Sequence, residues 1–255
     1  MQNLKVTLVQ ANQVWENKGA NYLNYEQLLV GVETDLIVLP EMFHTGFSMN
    51  AAKLSEKWGD SEGINWLRKI AFNKNAAIYT SLIVEENQRF YNRGVFIFPT
   101  GEIEFYDKRK TFGLAGEDQV FTAGTRETIV VYKGWRIQLQ ICYDLRFPEN
   151  VRNKIDSNQI PSYDVIVYVA NWPEKRILHW NALLKARAIE NQCYVIGVNR
   201  IGTDGNNLVY SGDSKAINAL GTVLTEKSEE NATTSVLDMN ELNEIREKLP
   251  FLKDR

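Results

Sequence analysis

Apolar and polar residues along this chain switch repeatedly between strand-like alternation and helix-like spacing, and those switches lay out its elements. Leu4, Val6 and Leu8 alternate along Leu4–Gln10, a strand with one face toward a core. Tyr25, Leu28, Leu29 and Val32 follow at helical spacing and form one apolar stripe. Asp35–Pro40 and Tyr163–Ala170 are short and almost continuously apolar, as strands covered on both faces are. Further strands are predicted over Ala76–Val84, Trp135–Ile141, Cys193–Asn199 and Thr233–Asp238. Asn92–Pro99 and Gly101–Tyr106 read as a hairpin turning at Pro99-Thr100-Gly101, and Tyr210–Ala219 with Thr222–Leu224 as a second one. Helices are predicted over Glu62–Asn73, Lys175–Asn191 and Glu241–Leu249, and Pro148 marks where another can begin behind Cys142. Lys108–Gly124 and Arg200–Asn207 lack periodicity and read as loops. The first is long enough to suggest function rather than mere connection.

Strands alternate with helices in both halves, and hairpins are mixed with crossovers. This predicts an α/β fold of two packed sheets with helices as the outer layers. No repeat or low-complexity linker divides the chain, so residues 1–255 are read as a single domain, with 44% apolar residues to fill its core. A net charge of −3 argues against a general nucleic-acid surface. No run of 18 apolar residues predicts a membrane span. The chain passes from Met1 directly into a strand without the pattern of an export signal. Two cysteines in that setting fit a reducing, cytoplasmic location and leave the acceptor-like Asn231-Ala232-Thr233 without meaning. Only two histidines, His44 and His179, weigh against a metal centre, and Gly-rich phosphate loops are absent, so no metal or cofactor is expected.

Three ionisable residues stand at three predicted strand ends: Glu41, Lys108 and Cys142. In α/β sheets, ligand chemistry gathers along one edge, so groups far apart in sequence can converge there. The combination is chemically coherent. Glu41 can take the thiol proton and later activate water; Lys108 can offset the charge of a tetrahedral oxyanion. The backbone N–H of Tyr143 would be a second oxyanion donor. Lys108 favours the thiolate and Glu41 opposes it. Taken singly, each has an ordinary structural explanation: a solvated glutamate, a wet basic surface at Lys108-Arg109-Lys110, a small buried cysteine. Cys193, beginning an apolar strand with no ionisable neighbour, reads as core.

With the three residues set in order, the chain resembles the nitrilase superfamily of carbon–nitrogen hydrolases. Leu39-Pro40-Glu41-Met42-Phe43 is similar to its glutamate motif, Tyr106–Phe112 to its lysine motif and Ile141–Glu149 to its cysteine motif. Tyr168–Pro173, His179-Trp180 and Ala186–Asn191 also resemble family segments, so the similarity runs from about Leu4 to Asp238. Among the branches it looks most like the bacterial omega-amidases, which hydrolyse short dicarboxylic monoamides such as 2-oxoglutaramate. The resemblance implies a four-layer αββα sandwich, a thioester on Cys142, release of ammonia and a supporting second glutamate, matched here to Glu117. It also implies a homodimer joined through Val151–Ser157 and Lys175–Asn191, with a small-molecule amide as substrate. Members often carry histidine two residues after the lysine; here that place holds Lys110.

Phe43, Phe112 and Trp172 flank the three reactive residues and would narrow a pocket, although core packing is the usual fate of such rings. A substrate carboxylate calls for a guanidinium fork, for which Arg146 and Arg176 are the candidates; Arg146 could instead pair with Glu149. Two other readings stay open. A Cys–His hydrolase would have to recruit His44 or His179. A non-catalytic member of the fold would only bind a partner or small molecule. Within the amidase reading, the alternative specificities are deaminated glutathione, carbamoyl amines and aliphatic amides.

Overall fold

The computed structural model describes residues 3–225 and 231–255. In chain order the elements are β1 (Leu4–Val9), α1 (Lys18–Leu28), β2 (Leu36–Val38), α2 (Ala51–Leu54), β3 (Glu56–Lys57), α3 (Glu62–Lys74), β4 (Ala77–Glu86), β5 (Arg89–Ile97) and β6 (Ile103–Asp107). They continue with α4 (Glu117–Val120), β7 (Ile129–Tyr132), β8 (Trp135–Ile141), β9 (Val165–Ala170), α5 (Ile177–Asn191), β10 (Tyr194–Asn199), β11 (Ile201–Thr203), β12 (Val209–Ser211), β13 (Lys215–Ile217), β14 (Ala232–Leu237) and α6 (Met239–Lys248). One sheet runs β14-β1-β2-β4-β5-β6, with β3 beside β4; the other runs β13-β10-β9-β8-β7, and β11 and β12 form a separate ribbon.

Each sheet is parallel at its centre and antiparallel at its margins. β1, β2 and β4 are parallel, as are β8, β9 and β10. This is why the central strands are apolar throughout. Alternate residues of each strand feed two different cores. Leu4, Val6, Leu8, Leu36 and Val38 of the first sheet pack against Ile137, Leu139, Val165, Val167 and Val169 of the second. The opposite faces hold Val9, Ile37 and Ile78 against α1 and α3, and Ile166, Tyr168 and Val195 against α5. The result is the expected αββα stack, with the inter-sheet core at its centre.

Helix ends follow their capping residues. The side chains of Asn17, Ser61 and Asp238 accept N–H groups in the first turns of α1, α3 and α6. The hairpin between β5 and β6 turns where Gly101, at φ +89°, gives its N–H to Phe98 C=O.

Several expectations need correction. No α-helix starts at Pro148; two short 3₁₀ turns, Cys142–Arg146 and Pro148–Val151, stand there. The Asp144 carboxylate accepts the Ile141 N–H and ties the chain into a tight turn instead. Tyr210–Ala219 is not one hairpin arm. It breaks at Gly212 and Asp213, both at left-handed φ, so β12 pairs with β11 while β13 joins β10. The loop Arg200–Asn207 therefore contains a strand. Val32 lies beyond α1, which ends at Leu28.

Gly197 shows how closely α5 sits on its sheet: a Cβ there would meet Leu184 Cδ1 at 2.5 Å and Trp180 Cζ2 at 2.9 Å. Gly197→Ala is expected to cost about 1–3 kcal/mol through overpacking, a fall of several degrees in a thermal melt. An unchanged melting temperature would contradict that packing.

Candidate active site

Each of the three candidate residues lies just beyond a strand whose end is pinned by hydrogen bonds. After β2, Pro40 stops the ladder; its carbonyl accepts Thr80 Oγ1–H at 2.7 Å, and the Met42 N–H reaches Ser81 Oγ at 2.9 Å. Gln13 Nε2 donates to the carbonyls of Glu41 and Met42. Beyond β6, the Lys108 N–H donates to Asn92 C=O at 3.0 Å. Cys142 follows β8 directly and takes φ +43°, in the left-handed region that non-glycine residues seldom occupy. Met42, beside Glu41, does the same at +46°. Such strain costs on the order of 1–3 kcal/mol per residue and persists where surrounding bonds overdetermine it, often at functional sites.

The side chains then converge. Lys108 Nζ is 2.9 Å from Glu41 Oε1, 2.8 Å from Glu117 Oε1 and 2.9 Å from Glu117 Oε2, and all three residues are buried. Asn92 Nδ2 spans both carboxylates, at 2.8 Å from Glu41 and 3.2 Å from Glu117. The second Glu41 oxygen accepts the Asn171 N–H at 2.9 Å. Glu117 also takes the Phe112 N–H, which folds the loop between Lys108 and α4 back on itself.

Burial by itself would lower the Lys108 pKa, but the charges of Glu117 and Glu41 outweigh it and hold the ammonium above its usual range. Cys142 goes the other way from a reactive thiolate. Burial, then Glu41, raise its thiol well above the ordinary value, and Lys108 only partly opposes them. The resting sulfur is therefore a thiol. Asp144, two residues on, is fully buried; burial lifts its carboxyl to about 6, against the Lys108 charge and three hydrogen bonds.

Cys142 and Lys108 open into a cavity of about 460 Å³. Tyr143, Phe112, Trp172, Arg146 and Arg176 line it. Phe112 and Tyr143 are in ring contact, with centroids 4.9 Å apart. Arg146 lies 4.6 Å over the Trp172 ring, and Arg176 lies 5.3 Å over Phe112. Asn199 holds Trp172 in place, accepting its N–H at 2.7 Å and donating to its carbonyl at 2.9 Å. Neither arginine has a carboxylate partner among the described residues, and the alternative Arg146–Glu149 pair does not form. Phe43 is the exception. It is fully buried, stacks on His44 at 4.5 Å and belongs to the core under α1 and α3, so it is a packing residue rather than part of the pocket wall. Lys110 turns its ammonium over Phe147 at 4.7 Å and gives its N–H to Asp144.

Sequence reasoning missed Asn92, Asn171 as a glutamate partner, and the far wall. That wall includes Trp15, Phe47 and Tyr210. A buried asparagine inside the strand Arg89–Ile97 was the one available signal. The far wall gave none, because Trp15 and Phe47 come from loops and Tyr210 arrives on the distant β11–β12 ribbon. Asp204 also lines the cavity, but its oxygens already accept the N–H groups of Asn206 and Leu208 and the Tyr210 hydroxyl.

Neither histidine lines this cavity. His44 is buried on Glu56 at 2.9 Å, and exposed His179 accepts from Arg146 at 3.2 Å.

A family model for carbon–nitrogen hydrolases matches residues 5–247, and the chain belongs to that family. The chain is 44% identical to the omega-amidase YafV of Escherichia coli K12, over all of this chain and 97% of that protein. It is 34% identical to the 2-oxoglutaramate amidase of Bacillus subtilis 168, over 86% of this chain and 84% of the relative. XC1258 of Xanthomonas campestris, a CN-hydrolase superfamily protein whose crystal structure has an arsenic adduct in the active site, superposes with a TM-score of 0.96. That match has 38% identity over all of this chain and 98% of the other.

His44 binds Glu56, whose carboxyl is held well below the usual range by His44, Lys18 and Ser61 in spite of burial. His44→Ala is therefore expected to lower stability by about 1–3 kcal/mol, the cost of a buried partner left unsatisfied, with kcat of the folded protein preserved. Loss of kcat at an unchanged melting temperature would bring back the Cys–His mechanism.

Proposed function

We propose that this chain is an omega-amidase that hydrolyses the terminal amide of a short, carboxylate-bearing monoamide such as 2-oxoglutaramate. One observation carries the reading: Lys108, buried between Glu41 and Glu117, lines one cavity together with Cys142 and two arginines that no described carboxylate neutralises. Omega-amidase and 2-oxoglutaramate amidase are also the names of its relatives.

Because the resting sulfur is protonated, its proton must leave as it attacks. Glu41 is the base. Its Oε1 is taken by Lys108 and Asn92, while Oε2 has only the Asn171 N–H and keeps a lone pair free. As Sγ bonds to the amide carbon, the carbonyl oxygen becomes an oxyanion. Lys108 and the Tyr143 N–H, which a first helical turn leaves without an internal partner, receive that charge. Collapse breaks the carbon–nitrogen bond; Glu41 returns its proton to the nitrogen, and ammonia leaves. The thioester is then attacked by water, which gives a proton to Glu41; the carboxylate product departs and the thiol is restored. Lys108, kept cationic by its two carboxylates, cannot be the base at neutral pH. Glu117 keeps Lys108 in place.

Arg146 and Arg176 take the substrate carboxylate, each laid on an aromatic ring that limits its rotamers. Residues 1–255 act as one hydrolase domain in the cytosol. The active form is a homodimer joined through α5, where Leu178 and Ile189 are exposed, together with Val151–Ser157. Sedimentation should give twice the chain mass; a monomer at micromolar concentration contradicts this assembly.

Ammonia release from short monoamides tests the chemistry. Cys142→Ala, Glu41→Gln and Lys108→Ala are each expected to lose at least about 10³-fold in kcat/KM. Wild-type protein quenched during turnover should show the acyl mass on the Cys142 peptide. Arg146→Ala and Arg176→Ala should raise KM for an anionic monoamide by about 10-fold or more, the worth of one charged hydrogen bond, and leave a neutral aliphatic amide unaffected. An equal effect on both substrates would remove the arginines from carboxylate binding.

A further inference from the structure

The mechanism leaves one buried carboxyl beside the nucleophile without a task. Asp144 is fully buried, and each of its oxygens is occupied. Oδ2 accepts the Ile141 N–H at 3.1 Å and the Tyr106 hydroxyl at 2.9 Å; Oδ1 accepts the Lys110 N–H at 3.0 Å. These three donors come from three places that the chemistry requires to be in register. Ile141 is the last residue of β8 before Cys142. Lys110 is two residues past Lys108. Tyr106 is in β6, in the opposite sheet, and its hydroxyl also receives Arg109 Nε at 3.4 Å. A second tyrosine makes a parallel tie close by, with Tyr79 of β4 donating to Gln140 C=O at 3.0 Å. Room for these rings comes from Gly94, paired with Tyr106 across β5 and β6; a Cβ there would meet Tyr79 Oη at 2.8 Å.

The need for such a tie is visible in the backbone. Cys142 stands at φ +43°, a conformation that costs free energy, and the turn after it is a short 3₁₀ segment with few bonds of its own. The sulfur and the Lys108 ammonium belong to different sheets, and side-chain dispersion across the core would tolerate small slides of one against the other. Directional hydrogen bonds to one rigid carboxylate would not. We propose that Asp144 is a positioning residue for hydrolysis, clamping the nucleophile turn and the lysine loop to Tyr106 so that Cys142 Sγ and Lys108 Nζ address one carbonyl. Asp144 touches neither substrate nor reacting atoms. The assignment rests on Cys142 being the nucleophile.

Asp144→Asn tests it, because asparagine has the same shape but a single acceptor oxygen and must abandon at least one donor. Expected are a roughly 10²-fold fall in kcat, the order a displacement of about 1 Å produces, an unchanged KM, and slower alkylation of Cys142 by iodoacetamide. Tyr106→Phe, which removes only the inter-sheet arm, should lower kcat less, also at unchanged KM. The double variant should lose less than the product of the two, as members of one network do. A folded Asp144→Asn with wild-type kcat and alkylation rate overturns the proposal, and so do losses that simply multiply. If Asp144→Asn does not fold, Tyr106→Phe decides: reduced kcat at constant KM supports the clamp, and unchanged kcat rejects it. Cys142→Ala separates the two levels. Activity in that variant would defeat the nucleophile assignment itself, whereas an inactive Cys142→Ala beside a fully active Asp144→Asn would defeat the clamp alone.

Discussion

One buried ammonium governs the rest of this site. Lys108 sits between Glu41 and Glu117 with essentially no access to water, and each carboxylate also needs Lys108 to be tolerated where it is. Burial of three charges is expensive, and removing one partner from such a group typically costs about 3–5 kcal/mol because the others are left uncompensated. The surplus negative charge is spread over neutral donors: Asn92 serves both carboxylates, and the Asn171 and Phe112 amides take one oxygen each. Those donors belong to β5, to the end of β9 and to the loop ahead of α4. Both sheets are therefore committed to one electrostatic arrangement.

The same arrangement shapes Cys142, the candidate nucleophile. Burial, with Glu41 and Glu117, pushes the Cys142 thiol well above its ordinary pKa, and the Lys108 ammonium opposes this only in part. In the proposed chemistry this separates the roles. A thiolate formed in advance would not need a base, and a neutral lysine could not receive an oxyanion. Strain is placed accordingly. Met42, next to Glu41, and Cys142 both occupy left-handed backbone; Ser81 holds the Met42 N–H, and Asp144 holds the N–H of Ile141 just before Cys142. The inter-sheet core holds the two layers together around them, and these directional bonds fix the local geometry.

Away from the charges, the cavity is aromatic with two cationic caps. Arg146 on Trp172 and Arg176 on Phe112 keep guanidinium groups partly desolvated and without acid partners among the described residues. Asp204, the acid nearest in kind to an ammonium receptor, is already saturated by its own turn and Tyr210.

Local pattern was sufficient for much of this. Strands such as Tyr163–Ala170 and helices such as Lys175–Asn191 are legible because burial on one or both faces imposes its own residue period. Glu41, Lys108 and Cys142 stand out because ionisable groups at strand ends have few other reasons to be there, and family motifs surround them. Tertiary structure decided what periodicity cannot carry. It assigned Phe43 to the core and Phe112 to the cavity, although each follows a reactive residue at similar distance, because the choice depends on which layer the strand faces. It replaced the helix expected at Pro148 with tight turns, since the Asp144 bond to Ile141 competes locally with helix formation. It brought Asn92 to the two glutamates, and Tyr210 of the β11–β12 ribbon to the cavity that Cys142 lines. Those contacts join residues far apart in sequence, and only the folded layers set their distance.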